Sequence, residues 1–332
     1  MELLTQYHRI KNLSTTTRPQ MIAWDITNKC NLSCLHCLNS SGDANVYDFS
    51  KELPGDTVLE IAHQIANHLK PEQCCLCGGE PLLNTNIFDI VTILSQSGII
   101  VNMVTNGLLL TNDKIIKLKD AGIYNIQVSI DGLGYQHDLF RNQKGVFDKT
   151  VKVVKNIVKN NVLVAVAFCP NKLNYLTFPN YVPYIRSLGC KTIRCMPFLP
   201  IGRGKSEGSD LYLSSKEFFE FVQIIRNEQA KYPELFIEWG DPLEHLFLIL
   251  LTKRKYPTIM GISSRGELTV SPYLPVIAGD LLQNNLRDLW RNGYNRIWQN
   301  SQLLNILKEI DNIYDLEKFV GKSYTLKCGV SL

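Results

Sequence analysis

Short apolar runs alternate with helical patterns between residues 21 and 200. In the apolar runs, valine, isoleucine, cysteine and phenylalanine follow one another, which is typical of strands buried on both faces. Between them, apolar residues recur every three or four positions, as Phe147, Val151, Val154 and Val158 do, which predicts a helix with one apolar face. The predicted strands cover residues 21–27, 73–77, 99–104, 124–130, 162–168 and 191–196.

The repeated alternation of strand and helix predicts parallel strands with helices outside them. A closed eight-stranded barrel needs about 250 residues, which is more than the alternating region contains. We therefore predict an α/β fold, a partial (β/α)6 barrel of the TIM type with a smaller α+β C-terminal region. The predicted divisions are an N-terminal arm at 1–19, the partial barrel at 20–205, a glycine-rich linker at 201–210 and the C-terminal region at 206–332.

Composition narrows the class of protein. Of the 332 residues, 45% are hydrophobic and 20% are charged, which excludes a disordered chain. A net charge of +4 is too small to predict a nucleic-acid partner. The longest apolar run, 246–251, is far shorter than the roughly 20 residues that a membrane span needs, and no signal peptide is apparent at the N-terminus. We expect a soluble cytoplasmic protein without a membrane partner.

Ten cysteines are many for such a chain, and three of them are closely spaced. Cys30, Cys34 and Cys37 form the segment CNLSCLHC directly after the first predicted strand, where parallel barrels place their active-site loops. Three thiolates this close can hold one iron–sulfur cluster and leave one iron open to a ligand. A zinc site that adds His36 or a distant residue, and a chance spacing, are the alternatives.

The segment CNLSCLHC resembles the cluster motif of the radical S-adenosylmethionine (SAM) enzymes. The resemblance implies that Cys30, Cys34 and Cys37 hold a [4Fe–4S] cluster whose fourth iron binds the amino and carboxylate groups of SAM. In that family one electron cleaves SAM, and the resulting 5′-deoxyadenosyl radical abstracts a hydrogen atom from the substrate. The resemblance covers residues 20 to about 205.

Further motifs of the family follow the later strands in the expected order. Residues 78–81 (GGEP), 105–107 (TNG), 129–132 (SIDG) and 137–141 (HDLFR) resemble its SAM-binding segments. Taken singly, GGEP is also consistent with a plain turn before a helix, Arg141 with a solvated helix residue, and His36 with a structural histidine. The residues that the resemblance assigns to SAM or its surroundings are His36, Gly78, Gly79, Glu80, Pro81, Asn106, Ser129, Asp131, Arg141 and Asn171.

Residues 261–290 resemble the start of the SPASM extension found in peptide-modifying radical SAM enzymes. Met260 and Ser271 stand where that extension usually has cysteines, and only Cys328 lies beyond Cys195. Because a second [4Fe–4S] cluster needs about four thiolates, we expect a SPASM-like region without an auxiliary cluster. Its hairpin around residues 265–266 would then be held by apolar packing.

The remaining candidate catalytic groups are thiols and one carboxylate. Radical peptide epimerases use a cysteine that donates a hydrogen atom, and Cys169, Cys195 and Cys328 are candidates for that role. A buried cysteine is more often a small packing residue, which is the alternative for these three and the interpretation for Cys74 and Cys75. Asp241 is a candidate general base or substrate contact, and its alternative is the N-cap of a helix that begins at Pro242.

The resemblance favours a maturase that modifies a ribosomally made precursor peptide by crosslinking or epimerisation. A radical SAM enzyme acting on a small molecule such as a porphyrin, and a non-catalytic scaffold that binds the cluster and SAM, are the alternatives. The 19-residue arm is too short for a peptide-recognition domain, so a separate leader-recognition protein is a possible partner. An electron donor such as flavodoxin or ferredoxin is the other expected partner.

Overall fold

The structure is a computed structural model that describes residues 18–240, 242–252 and 257–326. Its strands are β1 Met21–Thr27, β2 Gln73–Gly78, β3 Ile100–Thr105, β4 Asn125–Ser129, β5 Leu163–Phe168, β6 Thr192–Cys195, β7 Phe236–Trp239, β8 Ile259–Ile262, β9 Glu267–Thr269, β10 Val276–Asp280 and β11 Tyr324–Thr325. Its α-helices are α1 Gly55–Gln64, α2 Ile87–Gln96, α3 Asn112–Asp120, α4 Tyr135–Phe140, α5 Val146–Lys159, α6 Phe178–Ser187, α7 Arg203–Glu207, α8 Ser215–Lys231, α9 Pro242–Thr252, α10 Leu286–Arg291 and α11 Ser301–Leu307.

Shorter helical turns complete the chain. A π-helical turn at Ile65–Leu69 extends α1. The 3₁₀ turns are Phe49–Lys51, Pro81–Leu83, Tyr175–Thr177, Ser209–Leu211, Tyr294–Gln299 and Ile313–Phe319. None of the helices in the described ranges is long and apolar enough to cross a membrane.

All eleven described strands belong to one sheet, in the order β11-β10-β9-β8-β1-β2-β3-β4-β5-β6-β7. Strands β1 to β7 pair in parallel with their neighbours in chain order, and helices connect most of them. Strand β8 pairs in parallel with β1 on its other side, and β7 and β8 are not paired with each other. The sheet is therefore a partial barrel of the TIM type with a C-terminal region, which confirms the predicted fold class.

Each barrel strand has an outward face and an inward face. In β1, Ile22, Trp24 and Ile26 are buried in the main hydrophobic core with apolar residues of the surrounding helices, while Ala23 and Asp25 are only partly buried. This alternation follows from the two-residue period of a strand. The outward residues form the core between sheet and helices, and the inward residues line the barrel interior.

Two segments differ from the sequence prediction. Residues 201–210, predicted to be a linker, contain α7, in which Arg203 and Gly204 are buried. Strand β7 falls in the predicted C-terminal region, yet it pairs with β6 of the barrel. The predicted domain division at 205/206 stays a prediction, and the sheet itself runs without interruption across it, because β7 and β8 join strands of the barrel.

The predicted hairpin in the C-terminal region is formed by β8 and β9. Its turn contains Gly266 at φ +85°, a backbone conformation that glycine adopts without strain. Met260 and Ser271 are buried, and Met260 belongs to the main hydrophobic core. Apolar packing therefore supports this hairpin, as expected, and the absence of an auxiliary cluster stays a prediction. Cys328 lies outside the described residues.

Candidate active site

The three closely spaced cysteines lie side by side in the loop that follows β1. Cys30 and Cys37 pack against a small buried group that contains Leu32, Cys34 and Val146. The Cys37 amide donates to the Cys34 carbonyl at 3.2 Å, which closes the loop into a tight turn. Burial raises the pKa of Cys30 to about 11, and the neighbouring Cys34, Glu80 and Cys37 add smaller upward contributions. The sequence spacing thus becomes a compact set of thiols.

Each of the three sulfur atoms accepts a hydrogen bond from a nitrogen. Asn106 Nδ2 lies 3.9 Å from Cys30 Sγ, and Arg141 Nη1 lies 3.6 Å from Cys34 Sγ. The backbone amide of Ser41 lies 3.3 Å from Cys37 Sγ. Each of these donors would hydrogen-bond a cysteine sulfur that is bound to a cluster.

Arg141 connects the cysteine loop to the end of β4. Its Nη2 atom lies 2.6 Å from Asp131 Oδ2, and both side chains are almost fully buried. Asp131 Oδ1 accepts the backbone amide of Cys169 at 2.9 Å, so the carboxylate also fixes the end of β5. Burial raises the pKa of Asp131, and the Arg141 guanidinium opposes that rise.

His137 completes this corner as a neutral acceptor. Its Nδ1 atom accepts the backbone amide of Asp131 at 3.1 Å, and the ring is fully buried. Burial, helped by the nearby Arg141 charge, lowers the pKa of His137 to about 3. The ring is therefore uncharged at neutral pH, and it orients Asp131 through the backbone.

Glu80 joins the turns after β2 and β3. Its carboxylate accepts from Thr105 Oγ1 at 2.8 and 2.9 Å, from the Asn106 amide at 2.9 Å and from the Leu82 amide at 3.2 Å. The side chain is fully buried, and burial raises its pKa against the lowering effect of these donors. Glu80 therefore links the ends of β2 and β3, independently of any contact with a ligand.

Gly78 and Gly79 bring the turn after β2 against the start of the cysteine loop. Gly78 has φ +112°, and a Cβ atom there would lie 2.3 Å from the Thr27 carbonyl oxygen. A Cβ atom at Gly79 would lie 2.1 Å from the Lys29 carbonyl oxygen. Only glycine fits either position. Pro81 then begins the 3₁₀ turn that Glu80 caps.

His36 lies within the cysteine loop, directly before Cys37, and its ring packs against aromatic rings. It stacks on Phe140 with the ring centroids 4.0 Å apart and 7° between the planes, and it contacts the edge of Phe198. Burial lowers the pKa of His36 well below its ordinary value. Its Nδ1 atom is buried without a hydrogen-bond partner among the described residues, so it remains available to a ligand.

Two other predicted residues, Ser129 and Asn171, lie at the end of β4 and in the loop after β5. Ser129 is half-buried on the inward face of β4. Asn171 is fully buried, and its amide is used within its own loop, donating to the Cys169 carbonyl at 3.1 Å and accepting from the Leu173 amide at 2.9 Å. Asp241 and Cys328 lie outside the described residues.

The two candidate thiols that are described occupy different places. Cys169 is half-buried just after β5, where its backbone amide holds Asp131. Cys195 is fully buried in the main hydrophobic core. This placement favours packing as the role of Cys195.

One buried cation next to the cysteines is not apparent from the sequence. The Arg203 side chain donates from Nε to the Cys34 carbonyl and from Nη2 to the Ser41 carbonyl, each at 3.0 Å. Its backbone amide donates to the Cys37 carbonyl at 2.9 Å. Arg203 therefore donates three hydrogen bonds to backbone carbonyls of the cysteine loop. Its surroundings, rich in glycine and charge, had predicted a linker, and a buried partner for it could not be read from the sequence.

Residues 24–181 match the family model of the radical SAM superfamily. This part of the chain is a radical SAM domain. The matched segment begins in β1 and ends in α6, so it includes the cysteine loop and the turns after β2, β3, β4 and β5. The match confirms the family and the class of enzyme predicted from the cysteine motif. It also confirms the predicted cofactors, because the family uses a [4Fe–4S] cluster and SAM.

Two characterised proteins resemble the chain over most of its length. The AdoMet-dependent heme synthase of Methanosarcina barkeri is 27% identical over 303 residues, covering 84% of this chain and 84% of that protein. The sporulation killing factor maturation protein SkfB of Bacillus subtilis is 29% identical over 296 residues, covering 86% of this chain and 68% of that protein. Both similarities extend beyond the radical SAM domain.

Solved structures show the same fold. Streptococcus suis SuiB bound to S-adenosylmethionine superposes with a TM-score of 0.69 at 14% identity, covering 93% of this chain and 78% of that chain. The protein anSMEcpe with bound AdoMet and the Cp18Cys peptide superposes with a TM-score of 0.65 at 15% identity, covering 84% of this chain and 82% of that chain. The shared fold includes the C-terminal region, since the SuiB match covers nearly the whole chain.

The residues of the radical SAM domain fit a cluster better than a single metal ion. Within the described ranges, no three His, Cys, Asp or Glu side chains converge closely enough to hold one ion, which argues against the zinc alternative. In a cluster each thiolate binds a different iron, so its sulfur atoms lie further apart. Three thiols of one loop, each with its own N–H donor, suit the three protein ligands of such a cluster.

Proposed function

We propose that the chain modifies a ribosomally made peptide by abstracting a hydrogen atom from one of its residues. Cys30, Cys34 and Cys37 would hold the [4Fe–4S] cluster, and SAM would bind between the cysteine loop and the turns after β2, β3 and β4. Together, when bound, the cluster and SAM supply the one-electron chemistry that creates a hydrogen-abstracting radical. The protein's own task is to orient SAM and the peptide and to keep water out of this corner.

The polar inner face of the barrel carries this proposal. Asp25, Gln127, Arg194 and Glu238 are all partly buried on inward-facing strand positions. Amide and mixed-sign side chains suit the hydrogen-bonding groups of a peptide, whereas a porphyrin ring would need a broad apolar slot. Arg194 also has a partner of its own, since its Nε lies 3.8 Å from Glu238 Oε2.

Two relatives support the peptide route. SkfB is named a maturation protein of the sporulation killing factor. SuiB has been crystallised with its precursor peptide SuiA, in a structure that superposes on 94% of this chain with a TM-score of 0.69 at 12% identity. The proposed partners are a precursor peptide, a one-electron donor such as flavodoxin or ferredoxin, and a separate leader-recognition protein.

The second candidate is a small-molecule substrate of the porphyrin class. The observation that favours it is the similarity to the Methanosarcina heme synthase, which covers as much of this chain as the similarity to SkfB does. Identity alone therefore does not separate the two candidates, and the substrate class needs a direct test.

Deuterium transfer separates them in one experiment. The organism that encodes the chain is grown in D2O, and its extract is divided by size into a peptide fraction and a small-molecule fraction. Each fraction is incubated with the reconstituted protein, SAM and dithionite, and the 5′-deoxyadenosine is analysed by mass spectrometry. We expect deuterium from the peptide fraction only. Deuterium from the small-molecule fraction alone would overturn the peptide proposal, and Cys34→Ser, which removes one cluster ligand, is the negative control.

A further inference from the structure

Strand β2 presents two thiols to the barrel interior. Cys75 and Cys77 are half-buried on its inward face, whereas Cys74 and Leu76 are fully buried on the opposite face. Cys77 is the last inward residue before the glycines of the turn that follows, at the carboxyl end of the strand. In barrels of this kind that end is where the chemistry occurs.

A carboxylate on the neighbouring strand lies directly beside Cys77. Asp25 of β1 pairs in register with Cys77 of β2, so both side chains project inward at the same level. The Asp25 carboxyl is hydrogen-bonded to the Cys77 thiol, and its Oδ2 accepts from Asn39 Nδ2 at 3.1 Å. Asn39 belongs to the cysteine loop, two residues after Cys37. The Asp25–Cys77 pair is thus tied to the loop that would hold the cluster.

The thiol of Cys77 keeps its hydrogen at neutral pH. Its sulfur atom lies 3.6 Å from the Cys75 carbonyl oxygen, so its single hydrogen can be donated either there or to the Asp25 carboxyl. The hydrogen bond with the Cys75 side chain and burial raise the pKa of Cys77 well above its ordinary value. Burial also raises the pKa of the Asp25 carboxyl, against the lowering effect of its hydrogen bonds with Cys77 and Asn39. Cys77 is therefore a protonated thiol at neutral pH, and the Asp25 carboxyl lies beside it.

Cys75 and Cys77 are poorly placed to form a disulfide with each other. Alternate residues of a strand are about 6.6 Å apart at Cα, close to the upper limit of about 6.8 Å for a disulfide. Their side chains also project in the same direction from a paired strand. A disulfide between them would lie at the limit of the allowed geometry, and the reduced pair suits a group that must give up a hydrogen atom repeatedly.

We propose that Cys77 is a catalytic thiol that returns a hydrogen atom to the substrate radical, with Asp25 as its proton source. This assignment rests on the proposed function and deepens it. A peptide carbon that loses a hydrogen atom on one face and regains one from Cys77 on the other is epimerised, so this assignment predicts epimerisation rather than crosslinking. It also replaces Cys169, Cys195 and Cys328 in the role predicted for them from the sequence.

The step balances as follows. The S–H bond of Cys77 breaks, a C–H bond forms on the substrate, and a sulfur-centred radical remains. One electron from the flavodoxin or ferredoxin class of donor reduces that sulfur to the thiolate. Asp25 takes a proton from solvent and passes it to the thiolate, so Asp25 ends each turnover as it began. Each turnover therefore delivers one hydrogen atom, equal to one electron and one proton.

The first test measures hydrogen that comes from solvent. The peptide fraction, now unlabelled, is incubated in D2O with SAM, dithionite and the reconstituted wild-type chain, Cys77→Ser or Cys74→Ala. Cys74 is the matched control, because it is the adjacent thiol on the outward face. We expect one carbon-bound deuterium per modified peptide with wild type and Cys74→Ala, and at least a tenfold loss with Cys77→Ser. Serine fills nearly the same volume, but its O–H bond is too strong to give a hydrogen atom to carbon.

The second test needs neither cluster nor substrate. In the metal-free protein the S–H stretching band of Cys77 should disappear from the infrared spectrum in Cys77→Ser and shift in Asp25→Asn. The outcomes separate the two proposals. If deuterated peptides label 5′-deoxyadenosine but Cys77→Ser keeps the solvent deuterium, or wild type incorporates none, the role of Cys77 is overturned and the peptide proposal stands. If wild type takes no deuterium from peptides, both are overturned.

Discussion

The hydrogen bonds from the buried Arg203 side chain to the cysteine loop lead to a quantitative prediction on stability. In Arg203→Met, the Cys34 and Ser41 carbonyls each lose a charged donor at 3.0 Å. A hydrogen bond from a charged group contributes about 1.5–3 kcal/mol. The Cys34 carbonyl keeps the Cys37 amide at 3.2 Å as a second donor, which reduces the loss there. We therefore expect Arg203→Met to lower the free energy of unfolding by about 2–4 kcal/mol, a large part of the 5–15 kcal/mol typical of a domain.

Two assays test this expectation. Urea unfolding of the metal-free chain measures the stability change without the cluster, and iron content after anaerobic reconstitution measures whether the loop still holds it. We expect about four irons per wild-type chain and at most half as many in the variant. Arg203→Lys should lie between them, because one ammonium group cannot reach both carbonyls. Arg226→Met, at an exposed position of α8, is the matched control.

The reasoning is refuted if Arg203→Met unfolds within about 0.5 kcal/mol of Arg226→Met and binds the full amount of iron. The cysteine loop would then be held by its own turns and by the neighbouring strand ends alone. Loss of iron without loss of stability would instead show that Arg203 acts on the loop only when the loop carries a charge.

Three further predictions concern single contacts. The pKa of His137 is about 3 in the folded chain and about 6.5 in the unfolded chain, so below pH 6.5 only the unfolded chain binds the proton. Wild type should therefore lose about 2 kcal/mol of stability by pH 5, whereas His137→Asn should not. Equal pH slopes in urea unfolding would contradict this. Gly261→Ala should lower Tm, since its Cβ would lie 2.0 Å from Thr269 Oγ1, and adding Thr269→Ala should restore most of the loss. Glu80→Gln should lower the free energy of unfolding by about 1–3 kcal/mol in urea. The amide has a single acceptor atom, and its NH2 group would face the Thr105, Asn106 and Leu82 donors that the carboxylate now accepts from. An unchanged midpoint would show that Glu80 does not anchor these turns.

The local pattern of the sequence predicted the barrel well. The strand predicted at 21–27 is β1, residue for residue, and the one predicted at 162–168 begins a single residue early relative to β5. Buried strands have a strong local signal, since they consist of unbroken apolar runs between turn residues. The cysteine motif was also decisive, because its spacing and its place after a strand restrict the chemistry before any contact is known.

Long-range pairing could not be predicted in the same way. Nothing local shows that β7 pairs with β6, or that β8 lies next to β1. The inward direction of Cys75 and Cys77 was hidden as well, because neighbouring cysteines on β2 give no alternation of polar and apolar residues. Arg203 was missed for a related reason, as its partners lie far away in the chain and its own surroundings are polar. In each case tertiary contacts decide what local composition leaves open.

The cysteine loop and the residues that hold it lie far apart in the chain, which sets an order of events during synthesis. The cysteine loop emerges from the ribosome early, but Arg203 lies 169 positions after Cys34. Tyr47, at the far end of the loop, bonds Ser264, which is 217 positions further on. At 5–20 residues per second, translation needs on the order of ten seconds or more to supply these supports. The nascent chain thus exposes its thiols before the residues that cover them have been synthesised.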